Sequence, residues 1–134
     1  MTANQQPLSE RRTRNSPRTT ALALLADLLA VLVFVSIGRR NHAEGVTATG
    51  VVATAWPFVA GTAAGWAASR AWRAPTSVLA TGVPVWVATI AVGMVLRRVT
   101  GEGTPVSFVI VASTFLGTFL LGWRLVAGWL RRRV

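Results

Sequence analysis

Four apolar runs, separated by short polar segments that carry arginine, set the pattern of the chain. The first lies within Thr20–Gly45, the second runs from Val51 to Ala68, the third from Val78 to Leu96, and the fourth from Val106 through Leu130. A helix rises about 1.5 Å per residue, so about 20 residues cross a hydrocarbon core about 30 Å thick. The pattern predicts transmembrane helices over about 20–38, 51–69, 77–97 and 105–130. The predicted fold class is therefore all-α, a polytopic integral membrane protein with four transmembrane helices arranged as two tandem hairpins. Pro105 suits a first helical turn, whereas Pro57 removes an amide donor inside the second helix and predicts a kink there. Pro84 sits at a similar depth in the third run.

Small residues recur in the second run at Ala60, Gly61, Ala64 and Gly65, three and four positions apart. That spacing predicts a flat helix-packing stripe with a GxxxG pair, against which another backbone can approach closely. It is also a candidate contact between subunits. Residues 1–19 hold Pro7, Pro17 and four arginines with Leu8 as the only bulky apolar side chain, and read as a disordered basic tail. Residues 131–134 read as a second basic tail whose arginines can meet anionic lipid. Arg11-Arg12 resembles a twin-arginine export signal, but Asp27 interrupts the run that follows and no small-x-small cleavage site comes after it. An uncleaved first helix is the expectation.

Asp27 is the only acid inside any apolar run. A charge at that depth costs at least about 2.5 kcal/mol on insertion scales, so it needs a partner, a proton or an aqueous cavity. Arg124, near the end of the fourth run, lies at a matching depth from the same side, which makes Asp27 and Arg124 a candidate intramembrane polar pair. Two readings follow: a proton- or cation-coupling carboxylate in a transport path, or a structural pair inside a bundle. Ser113, Thr114, Gly117, Arg124 and Gly128 share a stripe on the fourth helix that either lines a polar path or bonds within and between helices.

Charge adds orientation. The chain carries a net charge of +10 with 52% apolar and 13% charged residues, and its arginines sit in clusters between apolar runs. That arrangement is a topology signal and excludes a nucleic-acid face as the expected partner surface. Arg11, Arg12, Arg14, Arg18, Arg70, Arg73, Arg124 and Arg131 to Arg133 fall on one side, and Arg39, Arg40, Arg97 and Arg98 on the other. The positive-inside rule then places both termini in the cytoplasm of a cell with the chain in its plasma membrane. Trp66, Trp72, Trp123 and Trp129 fit an inner interfacial belt and Trp56 an outer one, while Trp86 lies mid-helix. With no cysteine and the single histidine His42, no metal cluster and no cofactor are expected. The absence of GxSxG, phosphate-loop and HExxH motifs makes an enzyme the least supported class.

An internal repeat is visible. Arg39 to Gly45 and Arg97 to Gly103 both read RRxxxEG, and Gly65 to Trp72 and Gly122 to Trp129 both read GWxxxxxW. Two hairpins in the same orientation are expected. The paired arginines Arg39, Arg40, Arg97 and Arg98, with His42, are candidate outer-loop contacts for anions or lipid headgroups; alternatively the loop glutamates pair with them.

The pattern of Asp27, Phe34, Gly38, Arg39 and His42, with TAWPFxAG at Thr54 to Gly61, GMVLR at Gly93 to Arg97, and SFVIVA plus LLGWR through Arg124, resembles an uncharacterised domain-of-unknown-function family. Its members are small four-helix bacterial and archaeal membrane proteins. The resemblance implies a four-helix membrane protein without an assigned activity, and draws attention to Trp56, Pro57 and Phe58 besides the charged residues. Two functions stay open: a small transporter or channel acting as a homo-oligomer, or a non-transporting membrane subunit that binds lipid or a partner protein.

Overall fold

The computed structural model describes residues 16–40 and 46–133. Helix α1 spans Pro17–Arg39, α2 Ala48–Ser69, α3 Val83–Val99 and α4 Val106–Arg133. No strand occurs among the described residues. Continued through the π-helical turn Val78–Gly82, the third helix is, like the other three, long and apolar enough to cross a membrane.

Local chemistry sets the boundaries. Ser16 caps α1 by accepting from the Thr19 amide at 3.1 Å, with Pro17 in the first turn, so this helix begins three residues earlier than the apolar pattern suggests. Thr47 caps α2 in the same way through the Gly50 amide. Pro57 sits buried within α2, which is helical from Ala48 to Ser69. Ahead of Pro84, Gly82 donates to the Ser77 carbonyl five residues back and Val83 to that of Val78. The wider turn falls where proline cannot continue the normal ladder. The fourth helix continues through Arg131 to Arg133.

Successive helices pack against one another, and α4 also packs against α1. The closest pairing is α2 with α3, which joins the two sequence hairpins into one bundle. Gly61 and Gly65 explain it: a Cβ on Gly61 would come within 2.8 Å of the Ala88 carbonyl oxygen and Thr89 Cα, and one on Gly65 within 2.8 Å of Val85 Cα. The stripe therefore divides. Its glycines are used inside the chain against α3, Ala60 is half-buried and Ala64 is exposed. A subunit contact through Gly61 and Gly65 is thereby ruled out in this packing.

Between these helices the Thr62 and Thr89 hydroxyls meet at 2.9 Å, and each lies within reach of the carbonyl four residues before it. One core layer is aromatic and aliphatic, with Phe34 edge-on to Phe58 and Val31, Leu116 and Leu120 fully buried. The second layer holds Ala23, Trp66, Ala71 and Val85. Polar Asp27, Thr62, Thr81, Thr89 and Arg124 are buried, while Leu22, Leu25, Val52, Leu79, Ile110 and Leu125 face outward and are exposed. A water-soluble bundle would invert this arrangement; a bilayer favours it.

Candidate functional site

The site at the end of the bundle where α1 begins and α4 ends is organised on Asp27, the eleventh residue of α1. Its side chain and that of Arg124 are both inaccessible to solvent. Arg124 Nη1 donates to Asp27 Oδ1 at 2.9 Å and Nη2 to Oδ2 at 2.7 Å, a bidentate fork. Two indoles complete the carboxylate's shell: Trp66 Nε1 donates to Oδ2 at 2.8 Å and Trp123 Nε1 to Oδ1 at 2.9 Å. The guanidinium is equally occupied. Its Nε donates to the Pro75 carbonyl at 2.9 Å, Nη1 also donates to the Leu120 carbonyl at 2.8 Å, and its Cζ lies 4.4 Å from the centroid of the Trp123 ring.

The contacts draw on three helices and one connecting segment. Asp27 belongs to α1, Trp66 to α2, Trp123 and Arg124 to α4, and Pro75 to the segment that leads into α3. That segment is shaped for the purpose. Arg70 ends α2 in the left-handed region at φ 50°, a 3-10 turn follows over Ala71–Arg73, and Thr81 Oγ1 donates to the Ala74 carbonyl at 2.6 Å. Gly82 leaves room for the arginine's stem, since a Cβ there would lie 3.1 Å from Arg124 Cδ. Arg131 Nη1 ties the same segment to α4 through Thr76 Oγ1 at 3.1 Å.

Trp66 and Trp123 are the residues that sequence reasoning assigned differently, as interfacial belt positions. They occupy equivalent places in the two GWxxxxxW segments, and that repeat is the signal that could have paired them on one acceptor. Their repeat mates Trp72 and Trp129 are exposed. Trp86 has a structural task as well: its Nε1 donates to the Ser113 carbonyl at 3.0 Å and its ring covers Gly117. Of the stripe on α4, Thr114 is exposed, Gly117 packs against Trp86 and Arg124 belongs to the clasp.

At the opposite end of the bundle a cleft of about 1050 Å³ lies between the end of α1, the first turns of α2 and α4, and the α3–α4 loop. Arg39, Arg97 and Glu102 line it. Arg39 Nη1 donates to Thr54 Oγ1 at 3.0 Å, and its guanidinium lies against Gly50, where any side chain would collide with it. Arg97 Nε and Nη2 donate to the Gly103 carbonyl at 3.3 and 3.1 Å, and the guanidinium stands 4.5 Å over Phe108. Arg40 and Arg98 are exposed and outside this cleft. The structure thus gathers the first arginine of each RR pair and leaves out the second. His42 and Glu44 lie outside the described residues. Among the described residues the one ion pair is Asp27–Arg124; Glu102 makes its bond through the backbone, its amide donating to the Arg97 carbonyl at 2.8 Å.

Residues 24–127, about three quarters of the chain, match the family described as "Protein of unknown function (DUF3054)". No curated protein and no solved structure matches the chain.

Proposed function

The chain belongs to the DUF3054 family, and from that premise we propose that it is a non-transporting membrane subunit whose work is binding. Asp27 serves it as a structural clasp and not as an ion-coupling carboxylate. The observation that carries this reading is the saturation of the carboxylate: four N–H donors meet its two oxygens, and neither it nor Arg124 is accessible to solvent. A coupling site must exchange its ion or proton with water, whereas a buried pair with every lone pair met is the arrangement that makes an intramembrane charge tolerable. The use of Gly61 and Gly65 within the chain also weakens the case for a homo-oligomeric pore built on that stripe. The reading assigns no catalysis, and its partner is lipid, not nucleic acid.

The test is flux. Purified protein in liposomes is expected to move no proton, potassium, sodium or chloride above protein-free vesicles under imposed gradients. Gradient-driven flux that Asp27→Asn abolishes while the protein stays folded would overturn the reading.

We also place both termini on the cytoplasmic face of the plasma membrane. Arg124 is buried in the clasp and does not count as a flanking charge, which reduces the ten arginines on the terminal side to nine, still well above the four on the other. Reporter fusions should show a cytoplasmic C-terminus; an external one contradicts this placement.

A further inference from the structure

We propose that the clasp end of the bundle docks one anionic lipid headgroup at the corner where Arg131 of α4 meets Thr76, and that lipid held there keeps the clasp closed. The inference rests on the binding reading above and names the lipid class and its place. Register, charge and depth along α4 support it.

Register couples Arg131 to the clasp. It follows Arg124 by seven residues on α4, close to two turns, so the two side chains leave the helix on nearly the same side, about 10 Å apart along its axis. Both reach the segment before α3: Arg124 Nε donates to the Pro75 carbonyl at 2.9 Å, and Arg131 Nη1 donates to Thr76 Oγ1 at 3.1 Å. Their charges are met differently. Arg124 is buried against Asp27, whereas Arg131 is exposed and meets no carboxylate among the described residues. The Thr76 bond leaves most of the guanidinium's N–H groups free to donate, and the hydroxyl proton has no acceptor among the described residues. A phosphate oxygen between the guanidinium and the hydroxyl accepts from both. That bridge ties α4 to residues 75–76, the same segment that the Arg124 guanidinium holds.

Charge favours an anion. Arg18, Arg70 and Arg131 to Arg133 are exposed at this end, while the described acids are Asp27, neutralised by Arg124, and Glu102, at the far end of the bundle. The residues before Ser16 hold three arginines against one acid, Glu10, so by sequence they add positive side-chain charge next to α1. The C-terminal end of α4 offsets roughly half a charge, much less than its three arginines carry.

Depth selects a lipid. The exterior of α4 is apolar at Leu125, Val126 and Leu130 and basic from Arg131 onward, which sets the boundary of the hydrocarbon at that step. Trp129 agrees: it is 52% exposed, with the Arg133 guanidinium 4.5 Å over its ring. Exposed indoles at a helix end mark the headgroup level, and arginines just outside it attract anionic headgroups. Arg131 and Thr76 stand at that level.

The experiment uses the full chain in maltoside micelles doped with phosphatidylglycerol or, at equal mole fraction, phosphatidylcholine. Native mass spectrometry counts the lipid retained, and the thermal unfolding midpoint reports the clasp. One phosphatidylglycerol per chain is expected to be retained about tenfold more tightly than phosphatidylcholine, and to raise the midpoint by about 3 °C or more beyond it. Arg131→Gln should lose most of both effects, whereas Arg98→Gln, at the opposite end, should keep them. Equal behaviour of the two lipids would reduce these arginines to a topology signal. An undiminished effect in Arg131→Gln would place the lipid elsewhere, and the same midpoint gain from millimolar inorganic phosphate would mean a free-anion site. Any of the three overturns the proposal. Should Arg131→Gln not fold, the comparison of the two lipids on the native chain decides alone. Failure here leaves the flux result untouched, whereas flux in liposomes would remove the binding reading whatever lipid does at Arg131.

Discussion

A carboxylate in hydrocarbon costs several kcal/mol unless its lone pairs are met, and Asp27 meets them with donors from two other helices. The two tryptophans matter as much as the arginine. Each brings an N–H that is polar on an otherwise apolar body, so it can reach a buried charge without burying a second one. Hydrogen bonds to charged groups contribute roughly 1.5–3 kcal/mol, so Trp66→Phe should lower the unfolding free energy in detergent by about that amount. In an Asp27→Asn background the same substitution should cost less than about 1 kcal/mol, because the acceptor is then neutral. An equal loss in both backgrounds would assign Trp66 to packing alone. The sequence showed the two ends of the ion pair, since Asp27 is the only acid in an apolar run and Arg124 matches its depth. It did not show the indoles. Tryptophan near a helix end fits an interfacial belt equally well, and only the packing of α2 and α4 around α1 separates Trp66 from exposed Trp72.

Among the elements, the four helices were legible because run length against bilayer thickness leaves little choice. Their ends were less so. Ser16-Pro17 is a strong start signal that composition assigns to a polar tail, and the cap is visible only once the Thr19 amide is placed. The π turn before Pro84 is one of several ways a helix can absorb a proline, and the selection comes from α4: Gly82 is where the Arg124 stem passes. The glycine stripe was legible as a packing surface but not as to its partner. Close approach of backbones is the same chemistry within a chain and between chains, and the backbone of α3 at Val85 to Thr89 decides for the former. In the RRxxxEG segments the repeat marked four arginines alike, yet only Arg39 and Arg97 reach the cleft, a difference of one helical position, about 100° around the axis.

For the molecule as a whole, polarity is divided between two ends. At the end where α1 begins and α4 ends, the clasp closes α1, α2, α4 and the segment before α3 onto one carboxylate, without solvent. At the other end the same helices separate around an arginine-lined cleft. The buried ion pair and the accessible cleft thus lie at opposite ends of the bundle, the division expected of the binding subunit proposed above. An ion-coupled carrier would place the accessible opening at the buried acid.

The central claim, that Asp27 is a structural clasp, is tested most directly by a thermodynamic double-mutant cycle of Asp27→Asn and Arg124→Gln, read as unfolding free energy in detergent. Each single substitution leaves a buried group without its partner and should cost about 3–5 kcal/mol. The double variant, with neither charge, should recover about 2 kcal/mol or more of the summed loss. Strictly additive losses, or an Asp27→Asn protein as stable as the native chain, would contradict the account.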